Sequence, residues 1–66
     1  MAHITIINDN DYGSDRATFH DWIQDVHVRI ADRNEFDSEQ EFYQFVSTEA
    51  DKRRCELQDN RTATYY

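Results

Sequence analysis

A chain of 66 residues carrying 14 Asp or Glu against 7 Lys or Arg, with a formal charge of -7, 14% aromatic residues, one Cys and no Pro, has room for a single small domain. One Cys excludes an internal disulfide and a Cys-rich zinc site, and no run approaches the roughly 18–20 apolar residues of a membrane-spanning helix. The acid excess argues against direct contact with DNA, RNA or an anionic membrane, all of which recruit Lys and Arg, and no basic-then-apolar leader points to secretion.

High charge and a mean hydropathy of -1.01 lean toward disorder. Four Phe, four Tyr and one Trp lean the other way, because buried aromatic rings supply much apolar area per residue. A folded domain with a modest core is expected, marginally stable and strained by carboxylate repulsion.

Taken in chain order, residues 2–7 are short and β-branched and predict a strand with Ile4 and Ile6 on one face and His3, Thr5 and Ile7 on the other. Asn8 to Gly13 is turn chemistry. Ser14 and Asp15 then offer a helix cap. Phe19, Trp22, Ile23, Val26 and Ile30 follow at spacings of three and four, which predicts a helix over 15–31 with Trp22 in the core. The alternation Val26-His27-Val28-Arg29-Ile30 also fits a strand. Ser38 and Glu41 form a capping-box pattern ahead of the apolar stripe Phe42, Phe45, Val46 and Ala50. Lys52, Arg53 and Arg54 suit a helix C-terminus. Residues 55–66 fit either a hairpin turning at Asp59-Asn60 or a frayed tail. The expected fold is a single small α+β domain over 1–66: an N-terminal strand, two amphipathic helices and a C-terminal hairpin.

The acid is concentrated early. Residues 1–25 hold five acids against Arg16, and residues 26–50 hold six against Arg29 and Arg33. At about 100° per residue, Asp21, Asp25 and Asp32 would share one helical sector with Val28, opposite the apolar face. Carboxylates at that spacing approximate neighbouring phosphates on a nucleic-acid strand. Asp9, Asp11 and Asp15 would extend the row, with Glu35, Asp37, Glu39 and Glu41 nearby and Tyr43 at the edge of the second apolar stripe. The plainer alternative is a solvated acidic face.

No catalytic motif emerges. With Gly13 at position 6 of a calcium loop, Tyr12 and Phe19 fall where oxygen ligands are required, so the register fails. His20 and His27 would lie two helical turns apart, too far to share a metal, and with His3 they fit surface positions. Ser14 and Ser38 are explained as caps. Cys55, beside Arg53 and Arg54, fits an inward-packed strand position better than a reactive thiol. No cofactor, metal or enzymatic activity is expected.

Short, Pro-free, strongly acidic, single-domain and without an enzyme motif, the chain resembles the small acidic inhibitors that phages encode against host defence, including anti-CRISPR proteins and DNA mimics. The resemblance is of type, with no aligned motif. It implies a host-cytoplasmic protein that blocks a basic nucleic-acid-binding surface, for instance in a CRISPR effector complex. The Lys52-Arg53-Arg54 end departs from a uniform phosphate mimic. The contact residues on this expectation are Asp9, Asp11, Asp15, Asp21, Asp25, Val28, Asp32, Glu35, Asp37, Glu39, Glu41 and Tyr43. The alternative is a structural or regulatory subunit, an antitoxin or assembly adaptor, that forms a homodimer through its apolar helix faces.

Overall fold

The computed structural model describes residues 2–9 and 14–61. Four strands, β1 (Ala2–Asp9), β2 (Ser14–Asp21), β3 (Val26–Asp32) and β4 (Glu56–Asp59), form one mixed sheet in the order β3-β2-β1-β4. A 3-10 turn (Arg33–Glu35) and one long helix, α1 (Glu39–Arg53), carry the chain from the β3 edge to the β4 edge. β1 runs antiparallel to β2 and parallel to β4.

β1 and α1 form where their local signals lie. In β1, Ile4 and Ile6 are fully buried while Ile7 on the other face is exposed. The Ser38 side chain accepts a hydrogen bond from the backbone N–H of Glu41 and opens α1. At the other end Arg54 turns left-handed, with φ at 52°, and its N–H caps Ala50 and Asp51. Phe42, Val46 and Ala50 pack onto Ile4, Ile6, Ala17 and Ala31 as the core. Burying a ring such as that of Phe42 contributes about 1.5–3 kcal/mol.

The helix expected over 15–31 is instead the β2–β3 hairpin. An isolated β1 has no ladder partners, and a sheet needs three or more strands with one apolar face to be stable. Thr18, Val26, Val28 and Ile30 are β-branched and favour that use of the segment. Asp21 Oδ1 accepts from the N–H groups of Ile23 and Gln24, and Asp25 takes φ of 54°, so four residues reverse the chain. Trp22, expected in the core, is 61% exposed at this turn. Ser14 begins a strand rather than capping a helix. The two-helix architecture is thereby replaced by a four-stranded sheet covered on one face by one helix.

Opposite Ala17 and Thr18 the ladder is irregular: Ala17 pairs with Ala31 and Thr18 with Arg29, leaving Ile30 as the extra residue of a bulge. The bulge returns Ala31 to the helix side and sets Asp32 opposite Arg16, whose Nε donates to Asp32 Oδ1 at 2.8 Å. The C-terminal expectation also changes. β4 pairs with β1, and Asn60 N–H continues that ladder to the Ile6 carbonyl, so Asp59-Asn60 is no hairpin turn. Residues 62–66, and with them Tyr65 and Tyr66, lie outside the described residues.

Candidate functional site

The carboxylates predicted to share a helical sector are distributed by strand geometry instead. Asp21 ends β2 and Asp25 lies in the turn, whereas Asp32 ends β3. At about 3.3 Å per residue the length of β3 alone separates Asp25 from Asp32 by roughly 20 Å. Asp9 ends β1 beside Ser14, and Asp11 lies outside the described residues. Val28 sits on the exposed β3 edge, paired with Phe19 and so on the helix side of the sheet. Tyr43 is 40% exposed on α1.

The end of the sheet that receives the start of α1 gathers Asp15, Asp32, Glu35, Asp37, Glu39, Glu41 and Asp59. Much of this charge is spent internally. Arg61 bonds Asp15 Oδ2 at 3.1 Å, Asp59 Oδ2 at 2.6 Å and the Glu39 carboxylate, and its guanidinium lies over the Phe42 ring at 6.0 Å. These contacts hold Arg61 more firmly protonated than usual and keep the Asp59 carboxyl below its ordinary range. Arg29 pairs with Glu35 at 2.6 Å, and Glu35 also accepts from the Asp32 N–H at 2.7 Å. Bonds from that N–H first, then from Arg29, lower the Glu35 pKa. Arg33 reaches Glu39 at 3.2 Å. Arg61 was invisible as a hub in the sequence, because its partner Asp15 is 46 residues away.

Six described carboxylates, those of Asp21, Asp25, Asp37, Glu41, Asp51 and Glu56, have no Arg or Lys partner, and Arg54 is the one described base with no carboxylate partner. Glu41 also rims an open groove of about 400 Å³ along α1, floored by Phe36 and Phe45 and continued by Gln44, Thr48 and Lys52. The Phe36 and Phe45 rings stand 5.4 Å apart. Phe45, expected in the buried stripe, is 41% exposed here.

The open face of the sheet holds a second cluster. Cross-strand register aligns His3 of β1 with His20 of β2, and His20 with His27 of β3. His3 and His20 stack with ring centres 5.4 Å apart, His20 and His27 meet edge-on at 4.6 Å, and Trp22 lies within 5.8–6.4 Å of all three. The separation by two helical turns is therefore overturned: a period of two, not 3.6, places these imidazoles together. Burial first, then the neighbouring His27 and His3, push the His20 pKa below its ordinary value of 6.5. Its Nδ1 is shielded from solvent with no hydrogen-bond partner.

Cys55 is half-buried against the core, and burial pushes its pKa up, which disfavours the thiolate. Among the described residues no helix is long and apolar enough to cross a membrane. No protein-family model, no curated protein and no solved structure matches this chain.

Proposed function

We propose that the chain is a non-enzymatic acidic binding protein that occupies a basic, nucleic-acid-binding surface of a partner, of the kind found in a host-defence complex such as a CRISPR effector. The observation that carries this reading is the imbalance of unpartnered charge: six described carboxylates against Arg54 alone. The described arginines other than Arg54 are engaged in the fold's own ion pairs, so the unpaired charge is mostly negative. Asp37 and Glu41, both exposed where α1 begins, are the contact groups the reading favours, with Phe36 and Phe45 offering rings on which a partner's guanidinium stacks. Opposite charge would steer fast association that weakens with salt.

The test is displacement of labelled DNA from purified CRISPR effector complexes by the intact chain at low and high salt. The wild-type protein displaces DNA, and the double reversal D37K/E41K weakens displacement at least about tenfold at low salt, with a smaller difference at high salt. Equal potency of the two proteins at both salts defeats the reading.

A second reading, an oligomeric structural subunit, draws on one observation. Phe42, Val46 and Ala50 of the helix are used up in the core, but Trp22 and Ile23, the latter 86% exposed, project from the β2–β3 turn beside the β3 edge. Sedimentation of the wild type and of W22S/I23S separates the two. A homodimer lost in the variant, with DNA displacement unaffected, favours the subunit.

A further inference from the structure

We infer that the imidazole row on the open face of the sheet is a binding site for a late first-row divalent cation of the Zn2+, Ni2+ and Cu2+ class, chelated by His20 and His27 with His3 as an added ligand. This inference is independent of the proposed acidic docking.

The placement is set by backbone register. His3, His20 and His27 are the three histidines of the chain, and strand pairing puts them in one row across β1, β2 and β3. Directly opposed residues on neighbouring strands have Cβ atoms about 4.5–5.5 Å apart. Two imidazoles sharing an ion at about 2.0–2.1 Å have ring centres roughly 4.5–5.2 Å apart, the shorter value for ligands at right angles and the longer for tetrahedral ones. The His20 and His27 rings, 4.6 Å apart with their planes at 79°, meet that spacing.

Among the described residues no three His, Cys, Asp or Glu side chains converge on one point as oriented. The chelate is therefore the His20–His27 pair with water completing the sphere, and His3, stacked at 5.4 Å, joins by turning its ring. His27 has the freedom to adjust, since its side chain is 55% exposed on an edge strand. A second observation points to a ligand: His20 Nδ1 is out of solvent and unpartnered, and such an orphan calls for a physical explanation.

The surrounding charge favours a cation. Asp25 Oδ1 stands 4.0 Å from His27 Nε2, and Glu56 is the β4 partner of His3 on the same face. Arg29, two residues from His27, is held by Glu35 and Asp32. Imidazole donors select the late transition ions over Mg2+ and Ca2+, which require oxygen shells.

The test is a calorimetric titration of the untagged, metal-stripped full chain with ZnCl2, paired with NMR of the imidazole nitrogens. A control titration uses MgCl2. Zn2+ binds and shifts the His20 and His27 ring nitrogens, Mg2+ does neither, and H27Q weakens Zn2+ binding at least about tenfold, a ligand being worth no less than an outer-shell partner. H3Q produces a smaller loss. H27Q leaves the sheet intact by circular dichroism, so the result stands even where H20Q does not fold. The D37N/E41Q variant binds Zn2+ as the wild type does. No Zn2+ binding at millimolar concentration, undiminished binding by H27Q, or a D37N/E41Q loss equal to that of H27Q each overturns the inference.

Discussion

The acidic end of the sheet and its open face use the same device, strand register, to opposite effect. At the acidic end, register and the bulge at Ile30 bring arginines to carboxylates: Arg16 to Asp32, Arg29 to Glu35, and Arg61 to Asp15, Glu39 and Asp59. On the open face, register brings His3, His20 and His27 against one another and against Trp22, with a carboxylate no nearer His27 than 4.0 Å. One region pairs most of its carboxylates internally and leaves Asp37 and Glu41 without a basic partner. The other leaves His20 Nδ1 without a hydrogen-bond partner, the observation on which the inferred metal site draws. A high formal charge is therefore a poor guide to where a small acidic protein is reactive, because charge that is paired internally is no longer on offer.

The largest effect that bears on this contrast is removal of the hub. R61M removes the cation shared by Asp15, Glu39 and Asp59, of which Glu39 alone keeps another, Arg33, and costs about 1–2 kcal/mol, visible as a lower urea midpoint. High salt recovers part of it by screening the exposed Glu39. A midpoint equal to that of the wild type would mean that the acidic end is not held by its arginines.

Acid separates the two regions by pH window. The His20 pKa is depressed, so its contribution to stability is complete above its ordinary value of 6.5 and is lost as pH falls through the lower folded value. The Asp59 pKa is also depressed, so its contribution is complete above 3.8 and is lost below that. Urea midpoints measured against pH, with a chelator present, fall in two stages. H20Q abolishes the upper stage and leaves the lower one, and an upper stage that persists in H20Q would erase the distinction.

The smallest effect touches neither region and calibrates both. R54G relieves the left-handed backbone at the end of α1, where Arg54 forms no ion pair, and raises stability by about 0.5–1 kcal/mol. The gain appears as an increase in Tm with DNA displacement and Zn2+ binding unchanged.

What local chemistry specifies was legible. The alternation of Ile4 and Ile6 against His3 and Thr5 marks β1, and Ser38 with the stripe Phe42, Val46 and Ala50 marks α1. The segment 15–31 was not legible, because Phe19, Trp22, Ile23, Val26 and Ile30 satisfy a helical period while Thr18, Val26 and Val28 suit strands. Such a segment takes the structure its neighbours need. The acidic site suffered with it: Asp15, Asp32, Glu35 and Glu39 were legible as charges but not as ion-paired ones, whereas Asp37 and Glu41 remain exposed without a basic partner.

By itself the sequence determined a single small acidic domain, its first strand, its capped helix and the exclusion of a disulfide. Only the tertiary structure decided that the middle of the chain is a hairpin, that Arg61 closes the acidic end and that three histidines form a row. Periodicity and caps act over a few residues and are written locally. Strand pairing joins residues as distant in the chain as His3 and Glu56, and its register is chosen by the core that the whole sheet buries.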